Sequence, residues 1–490
     1  MNVPDTLNMA EVMIDPIWAL QVPANFAHKK QVLPFTQIDG KILVACLAGN
    51  NGLLLRSLER SLKSPIQLEI ADAKSLKLAI DEVYGKAQRA TAKNLETQPA
   101  NRAGNDEVIN LCNRILDGGI LRRASDIHID PDKESTEIKF RVAGELELFE
   151  EISTTKHLSM VSRIKVLANM DIAERREPQD GNIHYVFKGT GVPYDIRVAT
   201  IPTKNGEKMT LRILGLGAEN LTLGNIGMSA AHLETFGSNI AQPHGLILIT
   251  GPTGSGKSTS FYAALREIAH DKSKTILTIE DPVEFDLPKI IQVQVDSEKV
   301  TFAKALRSTL RHDPDVIMIG EIRDRETAEI AVTAAMTGHL VLSTLHTNSA
   351  ASAVARLLNM GVEPYLLSST LRLSIAQRLV KRLCEKCAQP YPISREQAQQ
   401  LNCPELEGTN AFRATGCKYC SNRGYKGRIA IFEMLPIDAS IAAIIRPGVI
   451  EEDILNIMRT NRTQLLREDG IDKIKLGMVQ IEEIIRITSI

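Results

Sequence analysis

The chain has 490 residues, and at about 150 residues per domain this length points to roughly three domains. Lys and Arg total 58 against 59 Asp and Glu, a net charge of −1, and 43% of residues are hydrophobic. This balance excludes a wholly disordered or fibrous chain and argues against a strongly basic nucleic-acid binder. The longest apolar runs, such as residues 42–48, fall far short of the roughly 18 residues that a membrane-spanning helix needs. The amino end is acidic and lacks a basic start followed by an apolar run, so no secretory signal is expected. Seven cysteines in this length make no disulfide scaffold, and a reducing, cytosolic setting follows.

In chain order, PIQLEI at 65–70 reads as a strand. Asp72 offers an N-cap to a helix whose Leu76, Ile80, Val83 and Tyr84 share a face, with Gly85 as its stop. Residues 1–85 therefore form a small α/β front domain. Residues 86–105 hold a single large apolar residue, Leu95, and read as a linker. Behind Asp106, the positions Val108, Leu111, Cys112 and Ile115 recur at helical spacing. Alternating strands follow at 125–130, 137–142 and 192–200, with a helix carrying Leu158, Val161, Ile164 and Leu167 between them. Residues 106–222 are expected to be an α+β module. From His244 onward the strands LILIT, TILTI, DVIMI and LVLSTL end in Gly- or Asp-rich turns at crossover spacing. That grammar predicts a parallel sheet in an α/β domain over 223–383.

GPTGSGKST occupies 251–259, between the strand LILIT and a helical run. Glycines at this spacing let backbone N–H groups curl around phosphates, and the following helix N-terminus adds partial positive charge. Gly251, Pro252, Thr253, Gly254, Ser255 and Gly256 form this cradle. Lys257 is expected at the β- and γ-phosphates of ATP, Ser258 on Mg2+, and Thr259 at the α-phosphate. After the next strand, Glu280, Asp281 and Glu284 stand at a carboxyl end, where a carboxylate can orient or deprotonate water. DVIMIGEIRD at 315–324 has the strand-then-acid form of a magnesium-binding segment. Gly320 holds the usual Asp position, so Glu321 is the nearest acid. His339 and His346 bracket one strand. Cys384-x-x-Cys387 and Cys417-x-x-Cys420 together offer four thiolates, the closed shell of structural zinc, in a subdomain at 384–420. Residues 421–490 complete the ATPase domain with helices.

These motifs resemble the type II secretion and type IV pilus assembly ATPases. The similarity extends through ASDIHIDP (124–131), KVLANMDIAERREPQDG (165–181), DIRVATIPTKNGEKMTLRIL (195–214), AQRLVKRLC (376–384) and GRIAIFEML (427–435). It is looser in the front domain, at WALQVPANFAHKKQVLPF (18–35). The resemblance implies a RecA-like α/β ATPase core preceded by a PAS-like α+β domain, assembled as a homohexamer. It implies Glu284 as the base, Glu321 as the magnesium-side acid, His339 and His346 as nucleotide-site histidines, and Arg176, Arg197 and Arg212 as arginines near the phosphates. It further implies a cytoplasmic enzyme recruited peripherally to the inner membrane, with residues 1–85 docking on cytoplasmic domains of platform proteins. Neither a membrane span nor a nucleic-acid partner is expected. The family's R-x-D-G turn reads Arg141-Val142-Ala143-Gly144 here, so that turn's polar contact is not expected. The front domain lacks the RLGxxL repeat of relatives that bind a cyclic dinucleotide, and that ligand is not expected. The short front domain and the 29 residues between the CxxC pairs favour the secretion branch over pilus assembly. A nucleic-acid translocase or helicase is the alternative of another class.

Overall fold

Apolar runs and a two-residue turn build the first sheet. Strands β1 (Val32–Ile38) and β2 (Lys41–Cys46) pair antiparallel through Asp39 and Gly40. Both turn residues have positive φ, 49° and 75°, as a tight Asp-Gly hairpin requires. Strand β3 (Ile66–Ile70) adds parallel to β2. Helices α1 (Pro16–Ala19), α2 (Ala24–Lys30), α3 (Gly52–Leu62) and α4 (Ala73–Tyr84) accompany the sheet. Asp72 accepts from the Ser75 N–H at the start of α4, and Gly85, at φ 82°, follows its end. The computed structural model describes residues 6–47, 52–86, 103–215, 221–295 and 300–488. Most of the predicted linker, residues 87–102, lies outside them.

Helix α5 (Ala103–Leu121) begins three residues ahead of the expected Asp106. It shares a core with helix α6 (Thr154–Leu167) and a six-stranded sheet. The strands are β4 (Asp126–Pro131), β5 (Ser135–Val142), β6 (Glu145–Ser153), β7 (Gln179–Val186), β8 (Pro193–Thr203) and β9 (Gly206–Ile213), in the order β6-β5-β4-β9-β8-β7. All pairings are antiparallel. On α6 the inward face is Met160, Val161 and Ile164, whereas Leu158 is 54% exposed. Buried Lys165 donates to the Glu174 carbonyl at 2.6 Å and pairs with Glu207 at 2.5 Å, so it fixes the 171–178 loop.

The second sheet has seven strands. They are β10 (Gly245–Thr250), β11 (Ile276–Glu280), β12 (Ile291–Gln294), β13 (Val316–Ile319), β14 (Leu340–Leu345), β15 (Leu371–Leu383) and, after the small hairpin of β16 (Gln389–Pro392) with β17 (Asn410–Arg413), β18 (Tyr425–Pro436). The order is β12-β11-β13-β14-β10-β15-β18, and every pairing from β12 to β15 is parallel. Helices α7 (Ala230–Ile240), α8 (Lys257–Ile268), α9 (Phe302–Thr309), α10 (Arg325–Met336) and α11 (Ala350–Asn359) belong to this domain. Strand β10 shows why its run is continuously apolar: Leu246 and Leu248 enter one core, Ile247 and Ile249 another. A parallel strand covered on both faces needs both.

By packing, the chain divides into two units that cut across its sequence order. One comprises Met1–Leu216 with Cys384–Ala388 and Ala414–Lys426; the other comprises Gly217–Leu383, Gln389–Arg413 and Gly427–Ile490. The cysteine pairs thus belong with the front and α+β domains, while residues 389–413 between them pack with the ATPase core. Within the first unit, the Arg122 guanidinium bonds Asp15 at 2.7 Å and approaches Glu147 at 3.4 Å. Arg423 takes the same Glu147 oxygen at 2.8 Å. Lys418 reaches Glu69 at 2.7 Å and Lys386 reaches Glu11 at 2.8 Å. The Met13 N–H donates to the Tyr419 carbonyl, and Ser421 Oγ donates to the Met13 carbonyl. Arg122 is only 9% exposed, whereas Lys386 and Glu11 pair at the surface.

Candidate active site and metal centre

The loop after β10 runs through three glycines with φ of 151°, 78° and 87° at Gly251, Gly254 and Gly256. A Cβ on Gly251 would stand 2.5 Å from the Gln377 carbonyl oxygen, so no larger residue fits there. Pro252, Thr253 and Gly254 form the open face of the loop, while Ser255 is buried with no partner for its hydroxyl. Lys257 opens α8, and its Nζ donates to the carbonyls of Gly251 at 2.8 Å and Pro252 at 3.2 Å. Ser258 and Thr259 follow, half-buried, in the first helical turn. Burial pulls the Lys257 pKa below the usual lysine value, and the Glu321 and Glu284 carboxylates oppose this. An ammonium held on carbonyls by its own loop is poised to exchange them for phosphate oxygens.

Because the strands are parallel, the ends of β10, β11, β13 and β14 share one edge. Glu321 follows β13 there, 16% exposed, bonded to Arg323 and 3.2 Å from His346 Nε2. Gly320, in place of an Asp, donates its N–H to the Ile279 carbonyl at 2.7 Å. A Cβ at that position would press on the same oxygen at 3.2 Å. Glu280 is buried and satisfied by Tyr262, Thr278 and Gln292, which removes it from the solvated turn that its sequence context suggests. Tyr262 also accepts from the Glu284 N–H at 3.3 Å and so ties the Glu284 turn to α8. Burial and the adjacent Glu280 push the Tyr262 pKa up, so it remains a donor. A cavity of about 450 Å³ at this edge is lined by Ile322, Arg323, Leu345, His346 and Arg356.

The two histidines do not meet. His339 precedes β14, pairs its Nδ1 with the Ala334 carbonyl at 2.9 Å, and so sits at the end of α10. The strand of six residues that separates it from His346 spans about 20 Å. Within one chain the structure therefore brings His346, but not His339, to the edge that carries Lys257 and Glu321. Arg197 and Arg212 are register partners on β8 and β9, and Arg212 Nε bonds Asp126 at 2.8 Å. Arg176 lies exposed on the loop that Lys165 secures. The Ala143-Gly144 turn has two positive φ values, 52° and 93°, and Arg141 donates to the Gly144 carbonyl. Sequence reasoning missed Tyr262, Arg323, Gln377 and Arg378. The last two stood within AQRLVKRLC without a role.

The four sulfur atoms of Cys384, Cys387, Cys417 and Cys420 lie within 4.8 Å of one another. Three of the separations are 3.9, 3.8 and 3.7 Å. Disulfide sulfurs would lie about 2.05 Å apart, whereas a tetrahedron of Zn–S bonds of about 2.3 Å has edges of about 3.8 Å. The Gly424 and Cys417 N–H groups donate to Cys420 Sγ, the kind of support that favours a thiolate. The residues present fit a zinc ion.

A phosphate loop on a parallel sheet, with an acid two strands away beyond β14, defines a P-loop ATPase of RecA-like fold. Residues 101–486 match the family model described as Type II/IV secretion system protein, and residues 5–90 match that of the MshEN domain. The chain is 46% identical over 384 residues to the type II secretion system ATPase E of Vibrio cholerae, covering 78% of this chain and 75% of that one. It is also 46% identical to the type II secretion system protein HxcR of Pseudomonas aeruginosa, covering 78% and 77%. Among solved structures it is similar to the pilus retraction motor PilT with bound ADP, at 26% identity and TM-score 0.54, covering 77% and 96%. The Legionella pneumophila ATPase DotB shares the fold, at 23% identity and TM-score 0.57, covering 77% and 95%. The chain belongs to the Type II/IV secretion system protein family and is an ATP-hydrolysing member of it. Among the described residues, no helix is long and apolar enough to cross a membrane.

Proposed function

We propose that this ATPase is the cytoplasmic motor of a type II secretion system, a homohexamer that powers assembly of pilin-like subunits at the inner membrane. The gathering of Lys257, Glu321 and His346 at one sheet edge, in a chain 46% identical to a type II secretion ATPase, supports this reading. The loop residues 251–259 hold the nucleotide, with Ser258 and Glu321 holding Mg2+. Bound there, Mg2+ neutralises charge on the β- and γ-phosphates. Glu284 serves as base to the attacking water, and Arg176, Arg197 and Arg212 stabilise the phosphoryl group as subunits close. Residues 1–85 form the docking module for platform proteins. The four-cysteine site holds zinc as a scaffold. The small front domain and the cysteine spacing favour secretion over pilus assembly.

Specific activity of the purified chain should rise with protein concentration as rings form. Arg197→Ala should lower turnover by about 10³, the lower end for an arginine finger, while ATP affinity changes less than tenfold. Activity that is flat across the monomer-to-oligomer range, with Arg197→Ala silent, contradicts a shared site. The two carboxylates separate in a second experiment. Glu284→Gln should retain ATP binding and lose about 10²-fold or more in single-turnover rate, since the shape stays and the base goes. Turnover that survives there but collapses in Glu321→Gln reverses the two roles.

A further inference from the structure

Strand β15 passes beside the phosphate loop, and one of its residues meets that loop three times. The Gln377 Nε2 donates to the Ser255 carbonyl at 2.9 Å, and its Oε1 accepts from Ser260 Oγ at 2.8 Å. A carbonyl can only accept, so the partners themselves dictate this amide orientation. The Gln377 main-chain oxygen abuts Gly251, where an added Cβ would come within 2.5 Å; a Cβ on Gly256 would come within 2.8 Å of Nε2. Two of the loop's glycines, already at positive φ, thus also leave Gln377 its place against the loop. Gln377 is 2% exposed, and its carbonyl in turn accepts from Arg378, which also reaches the Asn348 carbonyl at 2.7 Å.

We propose that Gln377 is a positioning residue for nucleotide phosphate, acting through the Ser255–Gly256 peptide. The carbonyl and N–H of one trans peptide point in opposite directions within a rigid plane. Drawing the Ser255 carbonyl toward β15 therefore turns the Gly256 N–H into the loop, toward the phosphates. Without the amide this peptide is free to rotate about the glycine, and the cradle loses its preorganisation. ADP and ATP share the phosphates nearest this peptide, so both lose affinity.

The inference rests on 251–259 being the ATP site, which Lys257→Ala tests separately. With the full chain, Gln377→Ala should raise the Kd for both ADP and ATP about tenfold, the scale of one hydrogen bond. At saturating ATP, kcat should stay within about threefold. Gln377→Glu should bind as poorly as the alanine variant at pH 8. Its affinity, measured relative to wild type at each pH, should recover as the pH falls, because the protonated carboxyl regains a donor for Ser255; the alanine variant should show no such recovery. A role confined to folding would shift melting temperature without this pH-dependent recovery. Unchanged ADP affinity in Gln377→Ala, or no recovery in Gln377→Glu, overturns the proposal. If the alanine variant fails to fold, the pH profile of Gln377→Glu alone decides.

Discussion

Lys257→Ala is expected to reduce ATP hydrolysis by two to three orders of magnitude, the scale for removing one preorganised charge-stabilising group. The side chain is almost fully buried, and its ammonium already rests on the loop carbonyls of Gly251 and Pro252. Charge developing on the transferred phosphoryl group would then find one fewer cation where water is scarce. The loss should appear in kcat as well as KM, because the contact strengthens in the transition state. A variant with wild-type turnover and unchanged magnesium dependence would show that the phosphate loop is not the site of hydrolysis.

Zinc removal is expected to have the other large effect. Structural zinc binds with an apparent free energy of about 10–16 kcal/mol at neutral pH, so the metal should be present at about one per folded chain. Cys417→Ser removes one corner of a four-sulfur cluster whose members all lie within 4.8 Å of one another and should abolish that stoichiometry. Backbone around Met13, Tyr419 and Ser421 should then exchange hydrogen faster, because their bonds join the front domain to the cysteine segment. Binding of a fluorescent ATP analogue should persist. Metal analysis finding well under one zinc per folded wild-type chain would remove zinc from the account.

What could be read in advance was whatever a short stretch of sequence decides alone. The loop at 251–259 needs its glycines for local reasons, and the helix at Ala73–Tyr84 carries its own cap and stop in Asp72 and Gly85. The apolar period of β10 is likewise its own. Strands β6 and β7 were missed because they lie at sheet edges, where few side chains are buried and the apolar alternation in the sequence is weak. The cysteine pairs were legible as ligands but not as neighbours of the front domain. That placement depends on ion pairs such as Lys418–Glu69 and Arg423–Glu147, whose members are hundreds of residues apart. Gln377 went unnoticed for the same reason: its partners are the Ser255 carbonyl and the Ser260 hydroxyl, 122 and 117 residues away. His339 shows the converse: it stands in a recognisable motif, and the direction of its strand takes it to the other edge of the sheet from His346.

The interleaving of the two units has a consequence for synthesis. A ribosome at about 5–20 residues per second releases the front and α+β domains about ten to forty seconds before the second cysteine segment of Ala414–Lys426 exists. Through most of that interval Glu11 lacks Lys386, and through all of it Glu69 lacks Lys418 and Glu147 lacks Arg423. The nascent front half is complete in sequence but not in contacts, and it must wait, exposed to chaperones, for a segment encoded after all but the last strand of the ATPase sheet. An amino-terminal fragment cut between Leu216 and Cys384 would freeze the protein at this unfinished stage.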